Sequence, residues 1–220
     1  MSSSCRLLLP LGLAALAVSG WSAPIVQNPS FEAVQIGSPF LSSNPANVPN
    51  WTHAGAAGDA LLWAIGYSDS GGSITVAGAG NQFVTIGGGF GSSGTGSWSQ
   101  SISGFTIGLA YNLSFMLGGE GTFSGTQVVT AKATGITATM NNFNAPIPSV
   151  NYWRTWQAFN LPFIADATTE TISFSSTTEF DVGLDNVNVS QVVSGVPEPA
   201  TWGLFGVGAA AIALLRRRLK

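Results

Sequence analysis

Any enzyme in this chain would have to be built from very few groups. His53 is the sole histidine and Cys5 the sole cysteine. A hydrolase triad needs an imidazole beside a serine and an acid. No serine here stands in the Gly-x-Ser-x-Gly turn that exposes a nucleophile. One imidazole, with no cysteine left after Cys5 is removed, is also too little for a zinc site, which is built chiefly from histidine and cysteine. His53, in Thr52-His53-Ala54-Gly55, therefore reads as an ordinary loop residue. Two carboxylates suffice for glycoside hydrolysis when they stand about 5–10 Å apart. Asp181 with Asp185, or Glu179 with Asp181, could reach that separation, but no other feature supports catalysis.

Binding asks for less. Pyranose C–H faces stack on exposed aromatic rings, with a few polar neighbours fixing orientation. Two patches offer that combination. Trp63 and Tyr67 lie between Asp59 and Asp69, and Tyr152 and Trp153 precede Arg154 after a segment containing Pro146 and Pro148. These five, Trp63, Tyr67, Tyr152, Trp153 and Arg154, are the candidate ligand contacts.

The elements that must hold such groups are strands. Tyr111, Leu113, Phe115 and Leu117 alternate with Asn112, Ser114 and Met116, the period of a half-buried strand. Further strands are expected at 82–86, 97–102, 127–133, 136–140, 156–163, 170–174 and 182–189. Gly, Ser and Asn clusters separate them, and no stretch between the termini carries a sustained helical period. This is the pattern of an all-β antiparallel sandwich. The glycine-rich stretch 87–96 has no lysine after it and opens no helix, so it reads as a connection between strands and not a phosphate loop.

Both ends look like targeting segments. Arg6 followed by the apolar run 7–18 has the form of a secretory signal peptide, residues 1–22, with cleavage between Gly20 and Ala23. Cys5 would leave with it. At the other end, Val196-Pro197-Glu198-Pro199 precedes an uncharged run, 200–215, and then Arg216, Arg217, Arg218, Leu219 and Lys220. As a helix the run would be about 24 Å long against a bilayer core of about 30 Å, a mismatch that snorkelling arginines and the interfacial Trp202 can absorb. The basic cluster should stay cytoplasmic and leave the rest of the chain outside. Between residues 23 and 195 only Lys132 and Arg154 face nine acids, a formal charge of −7. Such a surface repels nucleic acid and anionic headgroups.

The order of triplet, apolar run and arginine cluster resembles the PEP-CTERM sorting signal. That resemblance implies processing by an exosortase and delivery to the cell surface or an exopolysaccharide matrix. A second resemblance spans most of residues 25–191. Asn28-Pro29-Ser30-Phe31-Glu32, Val48-Pro49-Asn50-Trp51, Asn81-Gln82-Phe83-Val84, Trp98-Ser99-Gln100-Ser101-Ile102, Tyr111-Asn112-Leu113-Ser114-Phe115 and Leu184-Asp185-Asn186-Val187-Asn188-Val189 occur in this order. Together they resemble the galactose-binding-like jelly rolls, a group that includes many carbohydrate-binding modules. The resemblance implies a two-sheet jelly-roll sandwich with its first and last strands side by side. It places Trp51, Trp98 and Trp156 in the core, and it implies a structural calcium joining the ends of the sandwich through Glu32 and Asp185. Paired carboxylates there would repel unless a cation neutralised them.

The chain thus divides into a signal peptide (1–22), an ectodomain (23–191), a linker (192–195) and a sorting signal (196–220). The expected function is that of an exported, non-catalytic surface or exopolysaccharide-matrix protein that binds carbohydrate. A purely structural or adhesive matrix component is the alternative, with a polysaccharide-active enzyme behind it. Replacing Arg216, Arg217 and Arg218 by glutamate should disturb anchoring, because the positive-inside bias is lost. Fractionation of tagged wild type and mutant checks this, and identical distributions would show that the cluster does not hold the tail.

Overall fold

The computed structural model describes residues 23–36, 41–42, 47–55, 61–69, 72–87, 96–119, 127–146, 155–176 and 181–193. The signal-peptide stretch 1–22, most of the glycine-rich stretch, Asp59, Glu179, Tyr152, Trp153, Arg154, and the sorting signal with its apolar run lie outside the described residues. Among the described residues every regular element is a strand. In chain order they are β1 (Leu41–Ser42), β2 (Thr52–Ala54), β3 (Leu62–Ala64), β4 (Ser68–Asp69), β5 (Gly72–Ser73), β6 (Gln82–Ile86), β7 (Ser97–Ser103), β8 (Ala110–Gly119), β9 (Val128–Thr134), β10 (Ala138–Asn144), β11 (Trp156–Ile164), β12 (Thr169–Ser176) and β13 (Val182–Gln191).

Two antiparallel sheets stack face to face. One has the order β1-β3-β6-β13-β8-β11 and the other β10-β9-β12-β7-β2, while β4 and β5 form a separate ribbon. Most neighbours are not consecutive in the chain, so the sheets are interleaved as a jelly roll. The alternation read in the sequence supplies the core. Tyr111, Leu113, Phe115 and Leu117 on β8 face Trp98 and Ile102 on β7 and Ile172 and Phe174 on β12, all buried. Phe115 meets Phe174 edge to face with ring centroids 5.0 Å apart and stacks on Phe159 at 6.0 Å. Ala131 and Ala133 on β9 leave room for these rings. The buried Tyr111 hydroxyl accepts the Thr106 amide at 2.9 Å, so its one polar atom is satisfied.

Two departures from simple alternation shape the site. On β13, Val182 and Leu184 point inward, yet so do Val187 and Val189. A bulge between Asp185 and Asn188, with Asn186 at φ 50°, absorbs the change of phase. In the other departure, residues 74–77 pack on the outer face of the six-stranded sheet. Ile74 and Ala77 lie there against Leu61, Trp63, Phe83 and Trp156, making a second, smaller core.

All eight expected strands exist, with one shifted. The strand expected at 136–140 begins at Ala138, because Asp166 accepts the amides of Ile136 and Thr137 at 2.7 Å and holds them in a turn. The short strands β1 to β5 were not expected from the sequence. The first segment, 23–36, is not a strand. Asn28 and Phe31 have positive φ (50° and 59°) and Pro29 lacks an amide hydrogen, so the segment cannot join a ladder.

Candidate functional site

The first segment is fastened by side chains. Buried Gln100 accepts the Gln27 amide at 2.7 Å and donates to the carbonyls of Gln27 (2.8 Å) and Asn50 (3.0 Å). Buried Gln82 donates to the carbonyls of Phe31 and Val34, both at 2.9 Å, and accepts the Ile36 amide at 2.8 Å. The Val187 amide, just past the bulge, donates to the Pro29 carbonyl at 2.8 Å. First segment and last strand therefore meet directly.

Glu32 and Asp185 converge from these two pieces on the turn 78–82. Half-buried Glu32 accepts the amides of Asn81 and Gln82 through Oε1, both at 2.6 Å, and Gln35 Nε2 through Oε2 at 2.6 Å. Asp185 is wholly buried; its Oδ2 accepts the Ala79 amide at 2.6 Å and its Oδ1 the Asn186 amide at 2.7 Å. Burial pushes the Asp185 carboxyl up to about 8, and the nearby charge of Glu32 acts in the same direction, against the amide donors of Ala79, Asn186 and Gly78. Backbone packing is tight. A side-chain carbon at Gly78 would stand 2.9 Å from Asp185 Cβ, and Gly80, at φ 66°, has the Glu32 carboxylate pressed against it. A hollow of about 590 Å³ opens beside this turn, lined by Gln35, Ala64, Ile65, Gly66, Ile74, Thr75, Asn81 and Gln82.

A second surface was not singled out in the sequence. Ten of the fourteen residues in three outward rows of the five-stranded sheet bear a hydroxyl or an amide. Met140, Lys132, Ser173, Ser99 and Thr52 form one row across the five strands, and Asn142, Thr130, Ser175, Ser97 and Ala54 the next. A third row runs Ala138, Thr134, Thr171 and Ser101. Neighbours within a row are about 4.8 Å apart and the rows about 6.7 Å apart, by strand geometry. Thr130 Oγ1 and Asn142 Oδ1 are joined at 2.7 Å. Lys132 is the only lysine or arginine among the described residues. The Ser/Thr alternation at 97–103 and 169–175 is visible in the sequence. That the two runs lie side by side is not.

The expected ligand residues fare differently. Trp63 is wholly buried in the smaller core, with its indole nitrogen 3.3 Å from Thr85 Oγ1, so it has no face to give a sugar. This corrects the expectation, and the cause is residues 74–77, which pack on the outer face of its sheet. Tyr67 is half-buried and meets Trp63 edge to face at 4.9 Å. Trp51 and Trp98 are core residues as expected. Trp156 is half-buried on the outer face, over Gly118. His53 lies in β2, not in a loop, and packs on Trp98 at 5.1 Å. Asp181 and Asp185 are both buried. No group of three or more His, Cys, Asp or Glu side chains gathers among the described residues.

Residues 195–218 match the PEP-CTERM protein-sorting motif, which marks the chain for export. The sandwich is similar to a solved carbohydrate-binding module, TmCBM61 in complex with β-1,4-galactotriose, at 17% identity and a TM-score of 0.51, covering 77% of this chain and 99% of that one. At that identity the likeness shows a shared jelly-roll fold and nothing more. The arabinose-bound α-L-arabinofuranosidase MgGH51 is also similar, at 16% identity and a TM-score of 0.49 over 78% of this chain and 27% of that one. So is the CBM22-1 xylan-binding domain from Paenibacillus barcinonensis Xyn10C, at 11% and 0.42 over 76% and 93%. No curated protein sequence matches the chain.

The crowding at the turn yields a prediction. Gly80→Ala forces a side chain into left-handed backbone and onto Glu32, and should cost about 1–2 kcal/mol or more. Urea unfolding measures it, and unchanged stability would mean that the turn relaxes freely.

Proposed function

We propose that this is an exported, non-catalytic surface or matrix protein that contacts polysaccharide through the hydroxyl-bearing face of its five-stranded sheet. The sorting motif supports the destination, with exosortase processing near Pro197-Glu198-Pro199 and transient or lasting anchoring by the run 200–215. The observation that carries the binding reading is the face itself. An extended array of hydroxyls and amides around one ammonium suits an extended, hydroxyl-rich polymer better than a compact ligand. The burial of Asp181 and Asp185 supports the non-catalytic part, since glycoside hydrolysis needs two carboxylates facing a cleft.

The structural or adhesive alternative keeps one observation in its favour: the outward rows of that face carry no aromatic ring among the described residues. A glycan array with the purified exported chain separates the two. Binding to at least one polymer is expected, without hydrolysis. Lys132→Met and Ser173→Val should each lower affinity about tenfold or more, the usual effect of losing a charge-assisted or a well-made hydrogen bond. Retained binding in both variants moves the contact elsewhere, to the hollow or to the Tyr152–Arg154 patch. No binding at all favours the structural reading.

Calcium at Glu32 and Asp185 belongs to the same proposal. The donor set suits it: two hard carboxylates reach one turn from opposite ends of the chain, and one of them is a buried acid whose ionisation a cation would favour. Each carboxylate oxygen already accepts an N–H, so backbone carbonyls and water would have to complete the usual six to eight ligands. Without calcium, the folded protein holds the Asp185 proton up to about pH 8, against an ordinary value of 3.8. The folded state then binds more protons than the unfolded state between those values, so stability falls as pH rises through that window. Thermal melts in chelator should decline from pH 5 to pH 8. Millimolar calcium should stabilise the fold, most at the alkaline end, by about 2.7 kcal/mol at a hundredfold excess over Kd, and raise the midpoint accordingly. Glu32→Gln and Asp185→Asn should abolish that response. A wild-type midpoint indifferent to calcium leaves both groups as backbone caps.

A further inference from the structure

One end of the sandwich gathers exposed aliphatic side chains that neither core uses. β7 ends there at Ser103, β9 at Thr134, β11 at Ile164 and β13 at Gln191, and β8, β10 and β12 begin there. Ile107 is 60% exposed, Leu109 37%, Ile136 81%, Ile164 66%, Val192 48% and Val193 80%. Hydrogen bonds show that they are neighbours. Ile164 stands opposite Ala110 in the β11–β8 ladder, and the Val192 amide donates to the Ala110 carbonyl at 2.8 Å from the other side. The Ala165 amide donates to the Leu109 carbonyl at 3.0 Å. The Ile136 amide donates to Asp166, two residues past Ile164. Asp166 is the only charged side chain among the described residues of this end that is not buried.

Isolated exposed aliphatics are ordinary, but six at one end of an otherwise hydroxyl-rich surface mark a contact site. The chain itself indicates the occupant. Val193 leaves the sandwich at this same end, and only residues 194–199 separate it from the apolar run at 200–215. The seven steps from Val193 to Ala200 span at most about 25 Å fully extended. With the run in a bilayer, this end and no other is held within reach of the membrane, at a high effective concentration. The lack of lysine and arginine here makes the attraction apolar, not electrostatic, and so independent of anionic lipid.

We propose that, while the chain is anchored, the aliphatic end formed by Ile107, Leu109, Ile136, Ile164, Val192 and Val193 rests on the lipid interface and stands the sandwich upright on it. The inference depends on the anchoring reading given above. The test uses the exported chain (residues 23–220), which lacks Cys5 and so has no cysteine of its own. Ile164→Cys, Ile107→Cys and, as a control near the opposite end, Ala54→Cys each carry a bimane fluorophore; all three sites are exposed, so the fold is left intact. Each chain is reconstituted in phosphatidylcholine vesicles containing shallow spin-labelled lipid. Flotation reports anchoring and quenching reports contact. We expect all three chains to float and the probes at 164 and 107 to be quenched at least twofold more than the probe at 54. Chains that float with equal or no quenching overturn the proposal and leave anchoring standing. Chains that do not float overturn both. Disulfide cross-linking between two unlabelled Ile164→Cys chains, without quenching, assigns the end to a second copy and likewise overturns the lipid contact.

Discussion

The fold depends on fastening a segment that cannot be a strand. Residues 27–36 lie at the sandwich's terminal seam, but proline and two positive φ angles keep them out of any ladder. Backbone groups buried without partners would cost about as much as a lost hydrogen bond each. Two interior glutamines, Gln82 and Gln100, supply those partners, each offering a donor and an acceptor from within a strand. A leucine at either position would fill the same space and leave several carbonyls and amides orphaned. The core thus accepts two polar side chains because the segment beside it has no other means of attachment.

The rest of the seam follows from that attachment. With Pro29 bonded to Val187, the last strand is pinned at its bulge; just before it, the alternation that sends Leu184 inward points Asp185 outward, beneath the turn at Ala79. Glu32, one residue past Phe31, reaches the same turn from the opposite side. The glycines there are needed for closeness: at positions 78 and 80 a side chain would collide with the two carboxylates. Five of the six short sequence motifs that are scattered along the chain turn out to have a common address. Asn28, Asn50, Gln82, Gln100 and Val187 all take part in holding one segment in place.

What could be read in the sequence was whatever depends on neighbours in the chain. Long strands such as β8 and β11 alternate cleanly, and their core faces were legible because a period of two needs no knowledge of partners. Trp63 was misplaced for the opposite reason. Its own strand is three residues long, and its burial is decided by residues 74–77 lying over it. The shift of β10 likewise comes from Asp166, some thirty residues away. The hydroxyl face required knowing that β7 and β12 pair, and the phase break in β13 required knowing that an extra residue sits opposite Met116 to Ser114.

That hydroxyl face has a consequence for the conditions in which it works. Apart from Met140, Ala138 and Ala54, its outward rows hold serine, threonine and asparagine, with Lys132 as the single ion. Hydrogen bonds between neutral groups are not screened by dissolved ions, whereas attraction between exposed charges fades once they lie beyond a Debye length of about 8–10 Å. The proposed contact with polysaccharide, made through uncharged donors and acceptors, should therefore keep nearly the same strength as ionic strength changes.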